Sequence, residues 1–258
     1  MEIHLLIGVL GLAGGFMSGL LGIGGGIIMA PLLLYIPPLF GLSPLTMQTV
    51  AGLTIVQGLV ASMAGSLTHN KFHFVSNELS VWMGTAIFIA AIVGGVGAKF
   101  VANSTLLFIF ACLAFVAAIL MFVPVVKDSE RPDVAAIQFS RIRAVTAASG
   151  VGLLGGLVGQ AGSFILIPLM TSYVRVPTRI AIGSNLAIVL LSSIAGFIGK
   201  AATGQIEWLL TIPIVLTVIP AASLGGNVSN RVPVLYLRRL LAMLIAIAAI
   251  RMWVSLVA

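Results

Sequence analysis

Polar positions along this chain do not alternate with hydrophobic ones. Instead the apolar residues form eight long blocks, roughly 3–36, 44–68, 79–101, 105–126, 144–174, 180–203, 208–230 and 234–258. About 20 apolar residues in a row can cross a bilayer as a helix, whereas barrel strands would place a polar residue at every second position. The pattern predicts an all-α polytopic membrane protein. One polar stretch, Lys127-Asp128-Ser129-Glu130-Arg131-Pro132-Asp133, leads on to Arg141 and Arg143. It divides the chain into a first transmembrane repeat at 1–126, a linker at 127–143 and a second transmembrane repeat at 144–258.

The first block of each half is not a plain spanning helix. Residues 18–33 read Ser-Gly-Leu-Leu-Gly-Ile-Gly-Gly-Gly-Ile-Ile-Met-Ala-Pro-Leu-Leu, with five glycines in sixteen positions. Each glycine inside a helix costs about 1 kcal/mol relative to alanine, and three in succession invite the chain to turn. The motif recurs at 155–170 as Gly-Gly-Leu-Val-Gly-Gln-Ala-Gly-Ser-Phe-Ile-Leu-Ile-Pro-Leu-Met. Gly19 pairs with Gly156, Gly22 with Gly159, Gly25 with Gly162 and Pro31 with Pro168, all at one offset (156 − 19 = 137). Further on, Gly52 pairs with Gly183, Ser62 with Ser193, Gly65 with Gly196 and Gly94-Gly95 with Gly225-Gly226, at an offset of 131 (183 − 52). The six-residue difference falls at the prolyl stretch 36–41, where a loop insertion belongs. Apolar segments interrupted by glycine at matching places in two halves point to a transporter's binding site.

Composition narrows the class further. The chain is 60% hydrophobic and 7% charged, against the roughly 25% charged residues of a soluble domain. Its 29 glycines fit helices packed closely in lipid. The net charge of +7 is spread singly over the loops, which reads as a topology signal and not as a nucleic-acid surface. If all eight blocks crossed once, Lys and Arg would split seven to six. If the two glycine-broken blocks fold back to the side they came from, ten share one side (Lys71, Lys127, Arg131, Arg141, Arg143, Arg175, Arg179, Arg231, Arg238, Arg239) and only Lys99, Lys200 and Arg251 lie opposite. The positive-inside rule favours the second arrangement. It makes the two halves inverted repeats, each a glycine-broken helical hairpin followed by three transmembrane helices. The linker is then cytoplasmic and both termini lie on the outer side of the membrane. Met1-Glu2-Ile3-His4 has no basic n-region or small-residue cleavage site, so the first segment is expected to be retained. Cys112, the single cysteine, cannot form an internal disulfide.

Candidate chemistry lies at the two breaks. A hairpin broken within the membrane exposes backbone N–H groups that lipid cannot satisfy, and helices restarting at Ile27 and Phe164 would aim their positive ends at a cavity. Two such ends form an anion site, with Gly24, Gly25, Gly26, Gln160, Gly162 and Ser163 as substrate-binding residues. Thr54 and Asn185 occupy matching places at the start of the next helix and can donate to an oxyanion without bringing charge into lipid. His69 and Lys200 each follow a matched glycine by four residues and would attract anions at the vestibules. Close helix packing for the glycines, capping for Thr54 and Asn185, and interfacial anchoring for His69 and Lys200 are the competing readings. No Walker ending follows the glycines, no carboxylate falls in mid-block, and no His/Cys/carboxylate spacing suits a metal. Ser18 and Ser163 lack a nearby base. No enzyme and no cofactor is expected. The expected partners are a small anion and the bilayer, and the oligomeric state is not encoded.

Gly22-Ile23-Gly24-Gly25-Gly26 before Pro31-Leu32, and Gly183-Ser184-Asn185-Leu186 ahead of Lys200 and Gly204-Gln205-Ile206-Glu207-Trp208, resemble the TauE/SafE family of sulfite exporters over nearly the whole chain. The resemblance implies a membrane transporter of sulfite, sulfonates or related small anions. The chain departs from the family pattern at Gln160-Ala161-Gly162-Ser163, which is poorer in glycine. It departs again at Gly52-Leu53-Thr54 and Gly183-Ser184-Asn185 in place of Gly-Thr-Ser-Leu, and at Lys200 in place of histidine. An inside-negative potential of 100 mV drives one negative charge outward with about 2.3 kcal/mol, about a forty-fold gradient, so export needs no partner ion. A channel of the same fold and a non-transporting membrane assembly protein are the rival readings.

Overall fold

The computed structural model describes residues 2–70, 75–121, 134, 137–159 and 164–257. Among them every regular element is helical: α1 (Glu2–Leu21), α2 (Gly26–Leu39), α3 (Met47–Asn70), α4 (Asn77–Gly97), α5 (Asn103–Met121), α6 (Arg141–Val158), α7 (Leu166–Leu169), α8 (Thr178–Ala202), α9 (Trp208–Ser229) and α10 (Val234–Val257). A 3₁₀ turn follows α4 and a π turn, Met170–Val174, extends α7. Seven of these helices are long and apolar enough to cross a membrane. The chain is an all-α polytopic membrane protein.

Local chemistry sets the helix ends. Ser76 and Ser140 cap α4 and α6, their hydroxyls accepting from the N–H groups of Leu79 and Arg143. In α2, Pro37 and Pro38 withhold two backbone donors, and Gly41 at φ 72° turns the chain away. The first block breaks between α1 and α2, where Gly22, Gly24 and Gly25 have φ of 68°, 70° and 77°. The second breaks after α6, where Gly159 takes φ 78°. The first break is where the sequence predicts it, and α6 ends just before the second expected tip, Gln160–Ser163, which lies outside the described residues.

The second broken block folds back. Arg143 at its start lies over the ring of Tyr173 at its end, 5.7 Å from the centroid. Arg141 pairs with Glu78 at 2.8 Å and stacks on Trp82, so the start of α4 joins the same end of the bundle. Arg179 reaches the carbonyls of Ser229 and Val232 there too.

Helix packing is reciprocal between the halves. α1 packs along α9 as α6 packs along α4; α3 meets α9 as α8 meets α4; and α3 crosses α8 while α5 meets α10. Glycines make the closest contacts. A methyl group on Gly225 would collide with the Phe16 carbonyl, and one on Gly94 with the Leu153 carbonyl. The two sequence offsets convert one contact into the other (94 + 131 = 225; 16 + 137 = 153). In the same way Gly19 meets the Ala222 carbonyl and Gly156 the Ala91 carbonyl. In lipid there is no hydrophobic drive between helices, so backbone approach of this kind supplies the packing energy. α3 and α8 are the most buried spans. They run antiparallel, with Gly65 against Leu186 and Gly196 against Ile55.

Candidate functional site

The first break builds a compact turn inside the protein. The Gly22 N–H closes α1 by donating to the Ser18 carbonyl at 2.8 Å, and the Gly25 carbonyl opens α2 by accepting from Ile28 and Met29. Gly25, left-handed at the N-cap, brings no side-chain cap, so the first-turn N–H groups of Gly26 and Ile27 have no intrahelical partner. Every residue from Leu20 through Ile27 is buried. Gly22 lies against Ile182 near the start of α8, and Gly25 lies against Gln57 near the middle of α3. The turn therefore runs inward from the end of the bundle toward its centre.

Polar side chains converge on this turn. Asn185 is fully buried, and its Nδ2 donates to the Gly22 carbonyl. That bond fixes the amide, because a carbonyl can only accept, and it leaves Oδ1 without a donor. Gln57 is also fully buried, with neither its Nε2 nor its Oε1 partnered. Ser18, whose Cβ would lie 3.1 Å from a methyl on Gly25, has an unpartnered hydroxyl. Leaving a buried polar group unsatisfied costs about 1–3 kcal/mol. Three at one helix break, on neutral side chains, form a polar cluster whose donors and acceptors suit a small ligand with oxygen atoms.

Thr54 stands at the other break. A methyl on Gly159 would come within 2.8 Å of its Oγ1 and would collide with the Ala51 carbonyl; the hydroxyl itself donates to that carbonyl at 3.3 Å. Each of the paired residues thus touches the opposite half's break, Asn185 at Gly22 and Thr54 at Gly159. Gln160, Gly162 and Ser163 lie outside the described residues, as does the side chain of His69 at the end of α3. Lys200 is fully buried, its Nζ 3.4 Å from both the Leu157 carbonyl and Gln205 Oε1. It is attached to the last turn of α6. Gln205 in turn donates to the Gly95 carbonyl at 3.2 Å.

Gln57 escaped the sequence reading because it has no polar counterpart. The offset of 131 places Ile188 opposite it, so a search for matched pairs passes over it. The available signal was a lone amide in the middle of an apolar span, which in membranes marks a functional position. Among the described residues no three His, Cys, Asp or Glu side chains gather as a metal site would need.

The profile of the family described as Sulfite exporter TauE/SafE matches residues 7–252. Relatives bearing the name "probable membrane transporter protein" extend over comparable lengths. YunE of Bacillus subtilis is 25% identical over 85% of this chain and 84% of its own. A Haemophilus influenzae protein is 24% identical over 97% of each chain. A Xylella fastidiosa protein is 27% identical over the full length of both. No solved structure matches significantly. With its broken helices, its seven apolar spans and a match that covers nearly all of its length, the chain belongs to the TauE/SafE sulfite exporter family of membrane transporters.

Proposed function

We propose that the protein is a secondary transporter that exports a small sulfur-containing anion, sulfite or an organosulfonate, across the bacterial inner membrane by alternating access. The observation that carries this reading is the buried Gly22–Gly26 turn, where two left-handed glycines and a glycine N-cap set the uncapped start of α2 beside a cluster of unpartnered neutral polar groups. Helix N-termini of this kind bind anions. The Gly24, Gly25 and Gly26 backbone and Asn185 hold the anion from one side. Gln160, Gly162, Ser163 and Thr54 hold it from the other. His69 and Lys200 guide it at the vestibules.

The reciprocal packing supports two inverted repeats, 1–126 and 144–258, and the ten-to-three charge bias supports a cytoplasmic linker at 127–143 and periplasmic termini. Such an architecture moves one bundle against the other around a fixed site. In a thermal-shift screen against sulfite, sulfate, thiosulfate, sulfoacetate and simple carboxylates, a substrate at 100 times its Kd raises stability by about 2.7 kcal/mol. Proteoliposomes then show anion counterflow without an imposed ion gradient. Uptake that requires a proton or sodium gradient refutes export, and currents well above carrier turnover without counterflow refute alternating access.

A further inference from the structure

Gln57 breaks the two-fold pattern at the point where the pattern matters most. Its amide lies against Gly25 at the N-cap of α2, fully buried, while the matching residue of the other half is Ile188. An amide carries one donor end and one acceptor end whichever way it is turned, and both ends of Gln57 lack a partner. Asn185 adds a second unpartnered acceptor at the same turn, since its donor end is committed to Gly22. Among the described residues the side chains nearest Gly22 and Gly25 include Gln57, Ser18, Asn185 and Ile182, all uncharged.

These features bear on the ligand's charge and protonation. A fully deprotonated oxyanion offers only acceptors; it would pair with Gln57 Nε2 and the α2 N–H groups and leave the carbonyl oxygens of Gln57 and Asn185 facing negative charge. Desolvation cost also rises with the square of the charge, so a turn whose nearest side chains are neutral disfavours a dianion. A singly charged oxyanion that keeps one proton satisfies both ends: its oxygens accept and its O–H donates. We propose that Gln57 makes this turn selective for a hydrogen oxyanion, with Nε2 donating to a ligand oxygen and Oε1 accepting the ligand's O–H. The inference rests on the anion-transport reading and adds the protonation state of the cargo.

The test measures binding to the purified full-length protein with three probes. Sulfite titrates near neutrality between a hydrogen oxyanion and a dianion; methanesulfonate is a monoanion with no O–H; sulfate is a dianion. The wild type binds total sulfite progressively more weakly as pH rises from mildly acidic to mildly alkaline. It binds methanesulfonate and sulfate at least about tenfold more weakly than hydrogen sulfite, which is about 1.4 kcal/mol. Gln57→Leu loses the preference for hydrogen sulfite, yet without ligand melts no lower than wild type, because leucine removes an unpartnered buried amide at similar volume. Gln57→Met serves as the second apolar variant. Equal binding of sulfite and methanesulfonate, affinity for sulfite that grows with pH, or an apolar variant that keeps the preference overturns the proposal and leaves the anion carrier standing. Wild-type protein that binds none of the three probes overturns both.

Discussion

Gly22→Ala separates two costs that act together at the first break. Gly22 has φ 68°, and an L-residue with a side chain pays about 1–2 kcal/mol to occupy that region. The added methyl would also stand 2.7 Å from both Cγ2 and the carbonyl oxygen of Ile182. Crowding of this kind in a packed interior adds about 1–3 kcal/mol. Gly41→Ala is the matched control: φ is 72°, with nothing within 4 Å of the new methyl. Both variants gain about 0.4–1 kcal/mol from a less flexible unfolded chain, so this contribution cancels in the comparison. Gly22→Ala is therefore less stable than Gly41→Ala by about 1–3 kcal/mol. Melting of the purified variants in one detergent reads the difference directly. The same methyl displaces the turn from Asn185, so the anion-dependent thermal shift falls in Gly22→Ala and persists in Gly41→Ala. Equal melting temperatures for the two variants would refute the packing of Gly22 against α8.

Three further outcomes follow from the geometry. Gly94→Ala and Gly225→Ala, reciprocal contacts with helical backbone, each destabilise by about 1–3 kcal/mol, while Gly150→Ala, with open space around it, stabilises by about 0.5–1 kcal/mol; thermal melts rank the three. Asn185→Ala leaves the buried Gly22 carbonyl without its donor, which lowers stability by about 1–3 kcal/mol, and isothermal titration with sulfite shows weaker binding. In a Cys112→Ser background, Glu78→Cys and Asn230→Cys react with an impermeant thiol reagent from the cytoplasmic side only, and Ser104→Cys from the periplasmic side only. Labelling of Glu78→Cys and Ser104→Cys from one side would contradict the ten-to-three charge assignment.

Much of the architecture was readable from one dimension of information. Eight apolar blocks correspond to the helices because lipid leaves a spanning chain no other way to satisfy its backbone. The breaks after Leu21 and Val158 were visible because runs of glycine are poor helix formers. The pairing of Thr54 with Asn185 was visible because duplication preserves spacing, and the structure sets each at the opposite half's break.

What spacing does not carry is which surfaces face each other and which polar atoms are left over. Lys200 reads as a cation four residues past Gly196, and only the folded chain shows which atoms it meets, the Leu157 carbonyl and Gln205 Oε1. Gln57 reads as one amide in an apolar span, and only the approach of Gly25 to α3 makes it the unpartnered group at a helix N-terminus. The physical reason is common to both. Helix formation and membrane insertion depend on runs of residues near in sequence, so they are legible in order and spacing. Hydrogen-bond satisfaction depends on atoms brought together across the bundle, so it exists only once the helices have packed.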